Sequence, residues 1–136
     1  MAGITRDAKT VLSEQKANTS TKAEVLQEMV RHAGAMKKIL EDGSPLENFG
    51  QHLHEAWILK KSLASNVSTA QIDQWYETAR EAGATGGKIL GAGSGGFLML
   101  FCKPEKQKRV LDALKDMRVF DARFEPQGSK IIFMGE

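Results

Sequence analysis

The sequence predicts an α+β fold in which helices pack on a small antiparallel sheet, and three observations predict it. Apolar residues recur at helical intervals through the first two-thirds of the chain, short apolar runs separated by glycines follow, and one more helical stripe interrupts the strand-rich remainder. At 136 residues the chain suits one domain, 1–136, with a helical part over about 5–83 and a strand-rich part over about 87–135.

The first helix is expected from Thr5 to Lys16, with Ala8, Val11 and Leu12 on one side. The next opens at Thr21, where Thr21 and Glu24 have the spacing of a capping box. Leu26, Met29, Val30, Ala33, Met36 and Leu40 then form its inner stripe, up to Asp42 and Gly43. Ser44, Pro45 and Glu47 repeat the start signal, and the helix they open turns Leu46, Phe49, Leu53, Trp57 and Leu63 inward. A further pair, Ser68 and Gln71, begins a helix bearing Ile72, Trp75 and Ala79 that stops near Gly83. Short links make these helices antiparallel neighbours.

Beyond Gly87 the period changes. Lys88–Leu90 and Phe97–Cys102 are too short for stable helices and are separated by glycines, so they read as strand, tight turn and strand. Pro104 starts a helix reaching about Met117, with Val110, Leu111, Leu114 and Met117 inside. Phe120, Ala122 and Phe124 alternate with charged residues as a half-buried strand does, and Lys130–Met134 makes another after the turn at Pro126–Gly128.

Composition excludes several classes. The net charge of +2 comes from 19 basic and 17 acidic residues spread along the chain, which leaves no basic patch for a nucleic-acid backbone. The single cysteine, Cys102, permits no internal disulfide and no metal-ligand pair, and it sits in an apolar run where an inert thiol is expected. No run approaches the roughly 18 apolar residues of a membrane span, and the amino terminus carries no signal-peptide core, so a soluble cytoplasmic protein is expected.

Gly86, Gly87, Gly91, Gly93, Gly95 and Gly96 are denser than turn chemistry requires, which implies backbone close to backbone or backbone close to a ligand. A Walker loop fails, because Ala82 stands at the required first glycine before Lys88 and Ile89 follows it. Gly91, Gly93 and Gly96 have dinucleotide-fingerprint spacing, but the fingerprint must open a helix and here a strand follows. Two readings remain: a hairpin with no ligand, and a hairpin whose small residues admit a neighbouring phosphate loop.

The stretch Gly87-Lys88-Ile89-Leu90-Gly91-Ala92-Gly93-Ser94-Gly95-Gly96-Phe97-Leu98 resembles the third signature motif of the GHMP kinases, with the heptose-phosphate kinases as the nearest subgroup. Gly3-Ile4-Thr5-Arg6-Asp7-Ala8, Leu53-His54-Glu55-Ala56-Trp57 with Leu59-Lys60, and Phe124 through Ile132 resemble that subgroup in the same order, so the likeness covers nearly the whole chain. It implies the ferredoxin-like carboxyl-terminal domain of an ATP- and Mg2+-dependent kinase, acting on the anomeric hydroxyl of heptose 7-phosphate for nucleotide-heptose synthesis.

On that resemblance Gly91, Ala92, Gly93, Ser94, Gly95 and Gly96 lie beside the bound nucleotide. Ser94 departs from the family's frequent glycine, either capping the turn or donating to a phosphate oxygen. Arg6 is a candidate contact for the substrate phosphate, against the alternative of a solvated arginine at a helix start.

The family's phosphate loop and its catalytic aspartate and lysine belong to an amino-terminal domain that this sequence does not contain. No catalytic residue is assigned here, and the chain alone is expected to be inactive. The family's first strand of this domain would precede Gly3, so a vacant sheet edge and self-association are implied. The alternative is a free-standing ferredoxin-like module that binds a ligand or partner without catalysis. His52, His54 and Glu55 lack zinc-protease spacing and read as surface residues, so no metal site is predicted.

Overall fold

The computed structural model describes residues 22–65, 67–91, 95–121 and 130. The expected helix at Thr5–Lys16, the strand at Lys130–Met134 beyond its first residue, and Ala122–Phe124 lie outside them. The described residues form α1 (Ala23–Asp42), α2 (Leu46–Leu63), α3 (Ala70–Ala82), β1 (Ala84–Leu90), β2 (Phe97–Cys102) and α4 (Pro104–Ala113). This is the expected architecture, helices packed on an antiparallel β1–β2 pair. None of these helices is long and apolar enough to cross a membrane.

α1 ends where predicted, at Gly43 with φ 70, a left-handed position that glycine occupies without strain. Its inner stripe is narrower than the sequence suggested. Only His32 and Ile39 are buried, while Val30 and Leu40 are 71% and 62% exposed. The reason is geometric: among the described elements α1 packs chiefly on α2 and hardly meets β1 or β2, so a single seam is covered.

Two caps also differ from expectation. The Ser44–Glu47 box does not form; the Ser44 N–H and hydroxyl both donate to the Asp42 carboxylate, at 3.0 and 2.5 Å, and Glu47 pairs instead with Lys103. Those contacts hold the Asp42 carboxyl below the usual carboxylate range. Leu46, the first residue of α2 and expected to face inward, is half exposed. At α3 the cap is Thr69, whose hydroxyl oxygen accepts from the Ile72 N–H at 3.2 Å, while Ser68 donates to Asp73.

α3 stops at Gly83 and β1 begins at once, four residues before the predicted start. Ala84-Thr85-Gly86-Gly87 has weak strand propensity, and outside contacts hold it in place. The Arg80 guanidinium donates to the carbonyls of Ala84, at 3.2 Å, and Thr85, and the Thr85 hydroxyl donates to the Phe101 carbonyl at 3.3 Å. Across the hairpin Lys88 faces Met99, Ile89 faces Leu98 and Leu90 faces Phe97.

The core joins α2, α3 and β1 through Trp57, Val67, Ile72, Tyr76 and Ile89. A smaller cluster of Ala79, Ala82, Ala84 and Val110 seats α4, which is shorter than predicted, with Leu114 capping it before a turn to Met117. Leu111 accordingly stays half exposed, and Phe120 lies in irregular chain where a strand was expected. Cys102 is partly buried, and that burial pushes its thiol up, away from the reactive thiolate.

α2 and β1 meet backbone to backbone. A Cβ at Gly86 would overlap the Gly50 carbonyl oxygen, and one at Gly50 would overlap the Thr85 hydroxyl. Two glycines facing each other let a helix and a strand approach more closely than side chains allow.

Candidate functional site

The β1–β2 hairpin ends in the glycine turn. Gly91 and Gly96 hold φ of 129 and 114, and a Cβ at Gly96 would overlap the Leu90 carbonyl. A Cβ at Gly91 would come within 3.3 Å of the Gly95 carbonyl. Gly91, Gly95 and Gly96 therefore gather at the tip, and the turn itself requires glycine at 91 and 96. Ala92, Gly93, Ser94 and Arg6 lie outside the described residues.

Two lysines that sequence reasoning passed over stand out near this tip. Lys88 shares a strand face with Gly86, the face turned to α2, and lies three residues from Gly91, roughly 10 Å along the strand. Lys60 stands near the carboxyl end of that helix. Burial first, and then the Lys88 ammonium, pulls the Lys60 ammonium below the usual lysine range, and no acid among the described residues offsets either effect. Two cations brought together and partly desolvated without a counter-charge make a receptor for an anion. The sequence signal was present: Lys60 and Lys88 sit inside two of the four segments that carried the family resemblance.

Beneath the hairpin, His54 and Tyr76 lock α2 to α3. His54 Nδ1 lies 2.8 Å from the Tyr76 hydroxyl, and the rings stack with centroids 5.8 Å apart. Tyr76 is fully buried, and burial pushes its hydroxyl up to about 12, so it stays protonated across the working range. Burial also pulls His54 below the ordinary histidine range; the Arg80 and Lys61 charges add to this, and Glu77 and Glu55 oppose it.

Folding thus favours neutral His54, and the unfolded chain binds its proton at higher pH than the folded one does. Stability conferred by this residue is complete above the unfolded value near 6.5 and falls as pH drops toward the folded one. We expect the melting temperature to decline from pH 7.5 to 5.5, with a slope attributable to one proton, at most about 1.4 kcal/mol per pH unit. The slope should flatten in His54→Gln. Equal slopes in both proteins, measured by circular dichroism melts, would assign the effect elsewhere.

Elsewhere the surface suits a polyanion poorly. A shallow groove at the far end of β1 is lined by Glu47, Gln51, Glu77, Arg80, Glu81 and Thr85, with acids prevailing. Each described helix carries an acid in its first turn, Glu24, Glu47, Asp73 and Glu105, so its amino end already faces negative charge. Phosphate cradles at helix amino ends are therefore not offered among the described residues.

A family model described as GHMP kinases C terminal matches residues 35–118. The chain is 30% identical over 131 residues to a D-glycero-alpha-D-manno-heptose 7-phosphate kinase of Campylobacter jejuni, a match covering 93% of this chain and 38% of that one. It is 31% identical over 119 residues to an L-fucokinase/L-fucose-1-P guanylyltransferase of Bacteroides fragilis, covering 84% of this chain and 12% of the other. A 52-residue stretch, 38% of this chain and 15% of the relative, is 48% identical to a mevalonate kinase of Thermococcus sibiricus. Among solved structures, the mevalonate kinase of L. major in complex with R-mevalonate superposes with a TM-score of 0.69 at 20% identity, over 84% of this chain and 36% of that one, a likeness of fold. The chain spans little more than a third of the first of these relatives and less of the others.

Proposed function

Because this chain belongs to the GHMP kinases, matching the carboxyl-terminal part of that family, we propose that it forms the acceptor-binding part of an ATP-dependent kinase for a small anionic sugar, heptose 7-phosphate foremost. The observation that carries this reading is that α2 brings the partly buried Lys60 within the field of Lys88 on the hairpin strand, with no acid among the described residues to offset it. A phosphate on the acceptor supplies the missing counter-charge, whereas a neutral sugar such as fucose leaves both ammonium groups unpaired. In this reading Gly91, Gly95 and Gly96 flank the bound acceptor, and Ala92, Gly93 and Ser94 of the same turn and Arg6, as a second contact for the substrate phosphate, remain candidates from the sequence.

ATP and magnesium fit this part of the protein incompletely. The helix amino ends are occupied by their own acids. The one cluster with metal-ligand spacing among the described residues is rich in imidazole, a donor set unlike the oxygen ligands magnesium takes. The triphosphate and its magnesium are therefore assigned to residues outside those described, chiefly an amino-terminal kinase domain, and no chemical step is routed through this chain. Its own residues bind the acceptor, hold its phosphate and keep its hydroxyl facing the donor.

The test is turnover with and without that domain. The chain alone should transfer no phosphate from ATP to heptose 7-phosphate, and supplying the amino-terminal domain should restore transfer. Absence of turnover from the completed enzyme with any sugar phosphate would reject the proposal. Thermal stabilisation of the chain by an unrelated ligand would then favour a non-catalytic binding module.

A further inference from the structure

On the α1–α2 seam, apart from the lysine pair, three potential metal ligands converge. His32 comes from α1, and His52 and Glu55 come from successive turns of α2. The Nδ1 atoms of His32 and His52 are 3.0 Å apart, and the Glu55 Oε2 lies 3.4 Å from the first and 3.8 Å from the second. Ligand atoms around a tetrahedral zinc ion, each about 2.0–2.1 Å from the metal, stand roughly 3.3 Å from one another. The three observed separations bracket that value.

The surroundings match as well. The other nitrogen of His32, Nε2, faces Glu28 Oε1 at 3.5 Å, and Glu28 also pairs with Arg31. A carboxylate behind a histidine fixes its tautomer and turns the opposite nitrogen's lone pair toward the metal, as outer carboxylates of zinc sites do. The two imidazole rings are tilted by 56° with centroids 5.2 Å apart, so they converge at their Nδ1 atoms without stacking. One shared proton would satisfy the His32–His52 edge alone, whereas an ion satisfies all three.

We propose that His32 Nδ1, His52 Nδ1 and the Glu55 carboxylate form a site for a zinc-class divalent ion that clasps α1 to α2. Imidazole with one carboxylate selects zinc, nickel or copper over magnesium, and three protein ligands leave one position for water. The clasp matters to the fold because, among the described residues, α1 is otherwise held mainly by the single seam on α2 in which His32 and Ile39 are the buried residues. Whatever orients α1 orients one wall of the domain.

The test uses the whole chain, purified without a histidine tag and stripped with chelator, and titrated with zinc by calorimetry and with cobalt by visible absorption. Saturation at one ion per chain, tetrahedral cobalt bands and a raised melting temperature are expected, with magnesium giving none of these. His52→Asn and Glu55→Gln, both at partly exposed positions, should each weaken binding at least about tenfold while far-ultraviolet circular dichroism stays unchanged. His54→Asn should leave affinity intact, because that imidazole bonds Tyr76. No saturable binding, or binding that survives the His52→Asn/Glu55→Gln double substitution, would overturn the proposal.

Discussion

Substituting Gly86 by alanine should cost about 3 kcal/mol or more, enough to unfold a domain of ordinary stability. The added methyl would overlap the Gly50 carbonyl oxygen, and it would lie 2.9 Å from the Gly50 carbonyl carbon and 3.0 Å from the His54 nitrogen. All three are backbone atoms of α2, so no rotamer change relieves the clash and the helix itself must move. β1 cannot yield instead, because Arg80 grips its first carbonyls and the Thr85 hydroxyl donates to Phe101 at 3.3 Å. Displacing α2 opens the core around Trp57 and Tyr76. Gly34 provides the contrast: a Cβ there meets nothing within 4 Å, and in mid-helix Gly34→Ala should stabilise by about 0.5–1 kcal/mol. Urea midpoints read by circular dichroism measure both effects; a Gly86→Ala midpoint within error of the parent protein would refute backbone contact between α2 and β1.

Replacing Lys88 by glutamine should raise the KM for heptose 7-phosphate roughly 10- to 100-fold in the completed enzyme, with kcat changed far less. A charge-assisted hydrogen bond to a phosphate contributes about 1.5–3 kcal/mol, and an acceptor phosphate remote from the transferred group is held equally in ground and transition states. Lys60→Gln should act in the same direction. Stability should respond oppositely, because Lys88→Gln relieves the repulsion on Lys60 and Lys60→Gln removes both that repulsion and the buried charge. Lower affinity with equal or higher stability marks groups kept for binding. If both lysines were structural, each substitution would lower the melting point and leave KM unmoved.

What could be read from the sequence follows the range of the forces involved. Helices α1 to α3 and the hairpin were legible because period and end signals are local, and Gly43, Gly83 and Pro104 mark boundaries through backbone geometry alone. The α3 cap was legible to within a residue, since Ser68 and Thr69 both carry a hydroxyl and the approach of Asp73 decides between them, whereas the Ser44 box was lost to the Asp42 carboxylate. The early start of β1 was hidden because glycines, which suppress strand propensity, are what its packing on Gly50 demands. Exposure of Val30 and Leu40 was hidden for a related reason: helical period shows which residues share a face and leaves open how much of that face a neighbour covers.

At the candidate site, the glycines of the turn were legible and their cause was shared between the two readings then open. The turn uses Gly91 and Gly96 for its own closure, so glycine density was a weaker sign of a ligand than it looked. The lysine pair depends on α2 and β1 running side by side, 28 residues apart in sequence, and spacing alone could not bring it together. The same holds for His32 and His52, which the α1–α2 hairpin joins; the spacing of two did show that His52 and His54 point to different sides, and they serve different neighbours.

Residue-resolved chemical shifts of the isotope-labelled chain, followed as heptose 7-phosphate is added, probe the acceptor pocket at its source. The account predicts saturable changes centred on Lys60, Lys88, Gly91, Gly95 and Gly96, abolished by Lys88→Gln and absent with fucose. Changes confined to the groove around Glu47, Gln51 and Thr85, or an equal response to the neutral sugar, would contradict it.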